Sequence, residues 1–233
     1  MEKKMKLLIV EDEIAIRTGL VDVFVYHGYD VDFSGDGLDG LQKARTGRYD
    51  MVLLDVMLPG MDGFEICRHI RQQDKEQPII MLTAKNTDDA IIQGLSLGAD
   101  DYVAKPFSVA QLVLRVEAVL RRSRSVQEDL SQLTFADVVI DTRTLNGHKG
   151  SQAQVFTRRE VDILTYLLRN QERPITREEL LHKVWGYGKN LEIETRTVDI
   201  HIAKLRRKIE SDSKNPSLLV TVRGEGYRLM SAE

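Results

Sequence analysis

Five short apolar runs in the first half of the chain constrain its fold more than any other feature. They occupy residues 7–10, 31–34, 51–56, 79–83 and 102–104, and most of them lack alternating polar positions. Segments with apolar residues at helical spacing, such as 14–27 and 90–97, lie between them. Uninterrupted apolar strands are typical of a parallel sheet that helices cover on both faces. This half is therefore predicted to be a doubly wound α/β domain whose ligand site lies at the carboxyl ends of the strands.

The second half follows a different pattern. Residues 133–156 alternate polar and apolar positions, and Asn146-Gly147 predicts a turn between short antiparallel strands. Helical patterns follow at 157–168, 176–184 and 195–209, the first two opening with Thr-x-x-Glu capping boxes, and residues 218–230 read as a β-hairpin. The predicted organisation is an α/β domain over 1–122, a polar linker over 123–130 and an α+β domain over 131–233.

Composition narrows the class of protein. The chain has 233 residues and a net charge of −3, with net charges of −5 over 1–122 and +2 over 123–233. Its single cysteine, Cys67, excludes an internal disulfide framework and favours a reducing, cytoplasmic location. Every apolar run is far shorter than the roughly 20 residues that span a bilayer, so no membrane partner is expected.

Carboxylates follow two of the predicted strands. Glu11 and Asp12 come directly after the first strand, and Asp55 lies near the end of the third. In the flavodoxin-like strand order 2-1-3-4-5 these two strands are neighbours, so the three carboxylates converge at one crevice. Because like charges repel at short range, such a cluster needs a cation, and an all-oxygen ligand set suits Mg²⁺. We therefore predict a magnesium site.

Two further side chains extend this site. Thr83 ends the fourth strand with a hydroxyl group, and Lys105 follows the fifth strand with an ammonium group. Carboxylate, metal, hydroxyl and ammonium groups together favour phosphoryl transfer, in which the carboxylate accepts the phosphoryl group and the cations offset the charge of its oxygens.

Residues 5–122 resemble the receiver domain of bacterial response regulators. The matching segments are Glu11-Asp12, Asp55-Val56-Met57-Leu58-Pro59-Gly60-Met61-Asp62-Gly63, Leu82-Thr83-Ala84, Gly98-Ala99-Asp100-Asp101-Tyr102 and Lys105-Pro106-Phe107. The resemblance implies that Asp55 is the phosphoacceptor for a sensor histidine kinase. It also implies that Asp12, Asp55 and the Met57 carbonyl bind Mg²⁺, with Glu11 acting mostly through a metal-bound water.

The same resemblance assigns a switch beside the acidic site. Thr83 would move to the phosphoryl oxygens, and Tyr102 would turn inward behind it. Lys105 would pair with the phosphate, and the Lys105-Pro106 peptide would be cis.

The run Gly35-Asp36-Gly37-Leu38-Asp39-Gly40 satisfies G-x-G-x-x-G but is not read as a dinucleotide site. That fingerprint belongs on the first strand-to-helix turn, whereas this run follows the second strand. Its two internal aspartates would also repel a pyrophosphate. We interpret it as a turn followed by the start of a helix.

The helix predicted at 195–209 is basic and amphipathic. Val198, Ile202, Leu205 and Ile209 form an apolar stripe, and a second stripe carries Thr197, His201, Lys204 and Lys208, flanked by Arg196 and Arg207. Such a helix can simply be a solvated surface. The hairpin that follows, with Arg223 and Arg228, favours instead a winged helix-turn-helix that places this helix in the major groove of DNA.

Residues 131–233 resemble the effector domain of OmpR/PhoB-type regulators. The matching segments are Phe156-Thr157 with Glu160, Arg177-Glu178-Glu179-Leu180-Leu181, Val184-Trp185, Arg196-Thr197-Val198-Asp199-Ile200-His201-Ile202 and Val222-Arg223-Gly224-Glu225-Gly226-Tyr227-Arg228. The resemblance implies double-stranded DNA as a partner. The weak net charge of the second half predicts that tight binding needs two copies on adjacent, tandem half-sites. Lys204 would read bases, Arg196, Thr197, His201 and Arg207 would mostly contact phosphates, and Arg223 and Arg228 would reach the minor groove or its phosphates. It also implies RNA polymerase as a partner of the loop at 185–194.

Relatives with active receivers pair through the fourth helix, fifth strand and fifth helix. Asp100, Asp101, Arg115 and Arg122 fit the salt bridges of that homodimer. This chain departs from the family where Asp-Arg-Val and Glu are usual: it has Ala90-Ile91-Ile92 and Gln111. An interface that is more apolar and less sensitive to salt is therefore expected in the phosphorylated protein.

Two alternatives to a phosphorylation-controlled transcription factor remain open on sequence. A phosphohydrolase with an aspartate nucleophile would want an acidic residue two positions after it, where Met57 stands. The chain would then be an enzyme, whereas the favoured interpretation allows at most slow self-dephosphorylation. The second alternative keeps DNA binding but makes the receiver a dimerisation module that does not depend on phosphorylation.

Overall fold

The computed structural model describes residues 4–84, 93–95, 97–124, 131–188 and 195–230. The chain divides into two compact units, Met1–Arg124 and Ser125–Glu233. The last helix of the first unit continues to Arg124, two residues beyond the predicted end of that domain at residue 122. Each unit is described by itself below.

A parallel five-stranded sheet forms the centre of the first unit. Its strands are β1 (Lys6–Val10), β2 (Asp30–Ser34), β3 (Met51–Asp55), β4 (Ile79–Thr83) and β5 (Asp101–Ala104), and their order is β2-β1-β3-β4-β5. The helices that lie wholly within the described residues are α1 (Ile14–Tyr26), α2 (Gly37–Ala44), α3 (Gly63–Gln73) and α4 (Val109–Arg124). The predicted flavodoxin-like α/β fold is confirmed.

Burial explains why the strands read as continuous apolar runs. Every residue of β3 and β4 is buried, as are four of the five residues of β1. Leu7, Leu53 and Leu82 share one core cluster with Phe24 of α1 and Leu112 of α4, so these two helices cover one face of the sheet. Because both faces are covered, the alternation that marks a half-exposed strand is missing.

The second unit opens with an antiparallel sheet of four strands. These are β6 (Gln132–Phe135), β7 (Val138–Asp141), β8 (Asn146–Lys149) and β9 (Gln152–Val155). The predicted turn at Asn146-Gly147 is wrong, because both residues belong to β8, and Gly150 in a left-handed conformation (φ 54°) follows the strand instead. Gly147 has a packing role: a Cβ there would lie 2.5 Å from the carbonyl oxygen of Val139 on the paired strand.

Three helical segments and a hairpin complete the second unit. They are α5 (Arg158–Leu168), α6 (Arg177–Leu180), which continues as a π-helical turn over Leu181–Trp185, and α7 (Arg196–Ile209), followed by β10 (Leu219–Val222) and β11 (Gly226–Leu229). Thr157 and Glu160 form the predicted capping box at the start of α5. Ile175, just before α6, pairs with Tyr227 of β11, which joins the hairpin to the helices. The predicted winged helix-turn-helix fold is confirmed.

Helices in the described ranges are too short or too polar to cross a membrane. This agrees with the short apolar runs of the sequence.

Candidate functional site

Three carboxylates meet at the carboxyl edge of the first unit's sheet. Glu11 and Asp12 follow β1, Asp55 is the last residue of β3, and β1 and β3 are hydrogen-bonded neighbours. One oxygen atom from each side chain lies within 4.8 Å of the others. Glu11 and Asp55 are buried, whereas Asp12 is exposed at the rim. The strand order therefore brings together the cluster that the sequence predicts.

Lys105 reaches this cluster from the end of β5. Its Nζ atom lies 2.7 Å from Asp55 Oδ2 and 2.7 Å from Glu11 Oε2. Burial alone would lower the pKa of Lys105, but the hydrogen bonds to Asp55 and Glu11 raise it above its ordinary value. The peptide that follows, Lys105-Pro106, is cis, as the resemblance implies.

One ammonium group does not balance this cluster. Burial and the negative charge of Asp55 raise the pKa of Glu11 to about 7, although the Lys105 ammonium acts in the opposite direction. The surplus negative charge and the all-oxygen donor set of Glu11, Asp12 and Asp55 fit a hard divalent cation such as Mg²⁺. Met57, the predicted source of a carbonyl ligand, lies beside the cluster, and its backbone N–H donates to Asp55 Oδ1 at 3.2 Å.

The predicted switch residues lie next to each other on the adjoining strands. Thr83 at the end of β4 is fully buried, and Tyr102 of β5 is only 8% exposed. The two hydroxyl groups are hydrogen-bonded: burial and the charge of Asp55 raise the pKa of Tyr102, and the bond from Thr83 partly opposes that rise. Tyr102 thus occupies an inward position, against the backbone of Gly94.

The G-x-G-x-x-G run lacks the features of a dinucleotide site. Helix α2 begins at Gly37, and the carboxylate of Asp36 accepts hydrogen bonds from the backbone N–H groups of Leu38 and Asp39. Those amides are the donors that a pyrophosphate would need. The structure thus supports the interpretation as a turn and a helix start.

Helix α7 of the second unit buries more than its apolar stripe. Val198, Ile202, Leu205 and Ile209 are buried as predicted. The exposed positions are Arg196, Ala203 and Arg207, and Asp199, Arg206 and Lys208 are partly exposed. The solvent-facing side of α7 is therefore centred on Ala203.

Three of the residues predicted to contact DNA are buried in the domain without DNA. Thr197 and Lys204 are 7% and 9% exposed, and His201 is 2% exposed. The Lys204 ammonium lies 3.2 Å from the Glu160 carboxylate, and the His201 ring packs edge-on against Trp185. These contacts turn the predicted polar stripe towards the interior of the domain, and a role of these three residues in DNA contact stays a prediction.

His201 is neutral in this environment. Its Nδ1 atom lies 2.8 Å from the carbonyl oxygen of Thr197, which can only accept a hydrogen bond, so Nδ1 carries the proton. Complete burial lowers the pKa of His201 to about 4, and the nearby cations Lys204 and Arg159 add to this effect. A neutral, buried ring is a packing element.

The two hairpin arginines differ in their freedom. Arg223 is exposed beside Gly224, whose left-handed backbone (φ 78°) forms the tip of the hairpin. Arg228 is partly exposed and donates through Nε to the carbonyl oxygen of Gln171. Tyr227, between them in sequence, donates its hydroxyl hydrogen to Asp199 of α7 and stacks with Arg177.

Comparisons with known proteins agree with both halves of this geometry. Residues 7–117 match the family model "Response regulator receiver domain", and residues 151–229 match "Transcriptional regulatory protein, C terminal". The chain is 42% identical over 233 residues to the alkaline phosphatase synthesis transcriptional regulatory protein PhoP of Bacillus subtilis, with 96% of each chain covered. It is 40% identical over 225 residues to the DNA-binding response regulator MtrA of Mycobacterium leprae, with 97% and 98% covered.

The chain is a response regulator of the OmpR/PhoB family. Among solved structures, a mutant of RitR is similar over 98% of this chain and 100% of its own, with 28% identity and a TM-score of 0.74. The response regulator DrrB of Thermotoga maritima, described as an OmpR/PhoB homolog, is 30% identical over the same shares, with a TM-score of 0.52. The regulator therefore has a receiver domain and a DNA-binding domain. Its relative PhoP is described as a transcriptional regulatory protein, and its relative MtrA as a DNA-binding response regulator.

Three of the residues predicted for a dimer of this regulator make ion pairs within one chain. Asp100 lies 3.1 Å from Arg71, and Asp101 pairs with Arg115 of α4. Gln111 is partly exposed on α4. Ile91 and the side chain of Arg122 lie outside the described residues.

Sequence reasoning missed two residues of this regulator. Arg17 of α1 donates hydrogen bonds to the backbone beside the acidic cluster. Glu160 was recognised only as a helix cap, yet its carboxylate also lies 2.6 Å from Lys208 and 3.2 Å from Lys204. For Glu160, the one signal in the sequence is the surplus of basic residues on another predicted helix of the same small domain.

Proposed function

We propose that the regulator controls transcription when Asp55 accepts a phosphoryl group from a phosphohistidine of a sensor histidine kinase. The observation that carries this proposal is the position of Lys105, whose ammonium contacts Asp55 and Glu11 together at an edge rich in carboxylates. A buried nucleophile beside a fixed cation suits a transfer in which negative charge collects on the phosphoryl oxygens.

In the proposed transfer a carboxylate oxygen of Asp55 attacks phosphorus and forms an acyl phosphate. The phosphorus–nitrogen bond of the donor breaks, its electron pair stays on the imidazole nitrogen, and that ring regains its neutral form. Mg²⁺ held by Asp12, Asp55 and the Met57 carbonyl, with Glu11 behind a bound water, would supply positive charge. Lys105 pairs with the phosphoryl group, and Thr83 donates its hydroxyl hydrogen to a phosphoryl oxygen.

Phosphorylation would be read out through the switch pair. The hydrogen bond between Thr83 and Tyr102 links the end of β4, beside Asp55, to β5, so a move of Thr83 would change what holds Tyr102 inward. We propose that this state forms a homodimer through Asp100, Asp101, Gln111, Arg115, Arg122 and Ile91. The interface would depend less on salt because Ala90-Ile91-Ile92 replaces charged residues. A phosphorylated protein that stays monomeric in light scattering, or tighter dimerisation after Ile91→Arg, would refute this version.

The DNA-binding part of the proposal follows the exposed arginines. Arg196 and Arg207 on α7 and Arg223 at the hairpin tip are exposed, and Arg228 is partly exposed. We propose that α7 enters the major groove with the Arg196, Ala203 and Arg207 side, while the hairpin reaches the neighbouring groove or its phosphates. Two copies would occupy tandem half-sites in the cytoplasm. The loop at 185–194 would meet RNA polymerase; residues 189–194 lie outside the described ranges.

Labelling with a small phosphodonor such as acetyl phosphate tests the phosphoacceptor role. We expect slow labelling of wild type at one site in Mg²⁺, none after Asp55→Asn, and full labelling after Asp22→Asn, which removes an exposed carboxylate of α1. Rapid turnover of the donor would favour a phosphohydrolase. Unchanged DNA affinity after Asp55→Asn and after addition of a phosphate mimic would favour the phosphorylation-independent module.

A further inference from the structure

Each of the three glycines of the G-x-G-x-x-G run lies so close to another part of the receiver that a Cβ atom would clash. A Cβ at Gly37 would lie 2.0 Å from the carbonyl oxygen of Met61, in the loop after β3. A Cβ at Gly40 would lie 2.5 Å from Val10, the residue before Glu11. Both contacts are with segments that adjoin the acidic site. The run thus packs against that site.

The first glycine of the run faces a side chain. A Cβ at Gly35 would lie 2.8 Å from Nη1 of Arg17. That same nitrogen donates hydrogen bonds to the carbonyl oxygens of Glu11, at 2.7 Å, and Asp12, at 3.0 Å. The guanidinium also stacks on Phe33 of β2, 5.7 Å from the ring centroid. Arg17 is therefore held between β2 and the backbone of the two consecutive acidic residues.

We propose that Arg17 is a positioning residue of the phosphoacceptor site, an inference that rests on the function proposed above. By holding both carbonyl oxygens, Arg17 fixes the direction in which the Glu11 and Asp12 carboxylates leave the backbone. Gly35 provides the space in which the guanidinium lies. Arg17 itself contacts no reacting group.

A positioning role and a purely electrostatic role predict opposite changes in Mg²⁺ affinity when Arg17 is removed. A cation near a metal site repels the metal, so if Arg17 acted only through its charge, its removal would tighten Mg²⁺ binding. If it acts by positioning, its removal loosens the loop and weakens Mg²⁺ binding. Lysine keeps the charge but lacks the rigid planar guanidinium group. It therefore cannot stack on Phe33 and at the same time donate hydrogen bonds to both carbonyl groups. Arg17→Lys and Arg17→Met therefore separate the two effects.

The experiment is calorimetric titration of the full chain with Mg²⁺ alone, without a phosphodonor. We expect Arg17→Lys and Arg17→Met to raise the Mg²⁺ dissociation constant about tenfold, the scale typical of groups that orient metal ligands. Gly35→Ala should shift it in the same direction, because its methyl group displaces the guanidinium. Arg68→Met, which removes an exposed arginine of α3, and Gly19→Ala, where a Cβ meets nothing within 4 Å, are the matched controls.

Labelling with acetyl phosphate gives a second readout. Arg17→Lys should slow labelling at low Mg²⁺ and recover most of the wild-type rate at saturating Mg²⁺, a pattern that general destabilisation does not produce. Wild-type Mg²⁺ affinity in Arg17→Lys, or tighter binding in Arg17→Met, would overturn the role of Arg17 alone. A wild-type protein that neither binds Mg²⁺ nor labels at Asp55 would overturn the proposed function, and this role with it.

Discussion

Each domain contains a buried glutamate in contact with lysine, and the two clusters differ in the sign of their surplus charge. In the receiver, Glu11 and Asp55 share Lys105, with Asp12 close by. In the DNA-binding domain, Glu160 alone lies between Lys204 and Lys208. The first cluster has more carboxylates than cations at the carboxyl edge of a sheet. The second has more cations than carboxylates between two packed helices.

The pKa shifts follow this difference. Burial raises the pKa of Glu11 to about 7, and Asp55 adds to the rise. Burial acts on Glu160 in the same direction, but the charges of Lys204 and Lys208 outweigh it and lower the pKa of Glu160 below its ordinary value. A carboxylate cluster with a surplus of negative charge is stabilised by a further cation, which suits a binding site. A carboxylate that already contacts two lysines needs no further cation, which suits a structural role between two helices. The same residue pair thus has two uses, set by its neighbours.

Removing the shared lysine of the receiver should have the largest effect on the activity of the protein. We expect Lys105→Met to slow labelling of Asp55 by acetyl phosphate about 100-fold, because a fixed cation no longer faces the phosphoryl oxygens. The same change should tighten Mg²⁺ binding, since the carboxylates lose a competing cation. Lys4→Met, at an exposed position, is the control. Slower labelling with weaker Mg²⁺ binding would mean instead that the site had collapsed.

Removing the shared glutamate of the DNA-binding domain should mainly affect stability. Glu160→Gln leaves the buried Lys204 and the partly buried Lys208 without a counter-charge, so the free energy of unfolding of this domain should fall by about 3 kcal/mol. Urea titration followed by fluorescence reports on this domain specifically, because Trp185 is the only tryptophan and is buried there. Glu178→Gln, which alters an exposed carboxylate of α6, should change little. Equal stability of the two variants would contradict the structural role of the cluster.

Acid should destabilise the same domain through His201. Its pKa is about 4 in the folded chain and near 6.5 when unfolded, so between these values the unfolded state binds more protons. Stability should fall as the pH drops from 6.5 to 4, by about 3 kcal/mol from this group, with no further loss below that window. His201→Gln should flatten this part of the pH profile, and His148→Gln, at an exposed position, should not. An unchanged profile in His201→Gln would place the titration elsewhere.

The smallest predicted effects are on DNA binding, and they distinguish the exposed side of α7 from its buried side. Arg207→Ala should weaken DNA binding uniformly across sequences and reduce the salt dependence by about one counterion, as expected for a phosphate contact. Lys204→Met should leave base preference unchanged, because Glu160 retains Lys208 and the side chain at position 204 is covered. A changed base preference in Lys204→Met would restore this residue to the DNA interface. Binding is best measured with the phosphorylated full chain.

Strand ends are easier to predict than helix faces, and the two sites show why. Glu11, Asp55 and Thr83 follow or end parallel strands, so the sheet order alone places them at one edge, whichever way each side chain turns. The position of a residue on α7 does not determine in the same way whether its side chain is exposed. Lys204 and His201 are polar by composition, yet Glu160 and Trp185, far away in sequence, make their burial favourable.

Local signals predicted some features well and others not at all. Thr157 and Thr176 cap α5 and α6 as predicted, because both partners of a cap lie within one turn. Only Thr157 and Glu160 form the full capping box, since the Glu179 carboxylate bonds to Arg173 and Tyr166 instead. The Asn146-Gly147 dipeptide suggested a turn, but its position in β8 depends on close contact with Val139 of the paired strand. The role of Arg17 likewise depends on carbonyl groups, which no residue type reveals.

The pairing of Tyr227 with Ile175 sets a dimension of the DNA-binding domain. Tyr227 exchanges two backbone hydrogen bonds with Ile175, of 2.8 and 2.9 Å, and its hydroxyl group is bonded to Asp199 of α7. The hairpin cannot swing away from the helix without breaking these bonds. These bonds therefore fix the base of the hairpin relative to α7. In the proposed complex with DNA, the protein itself would set the length of one half-site, and the DNA sequence would set only the spacing between half-sites.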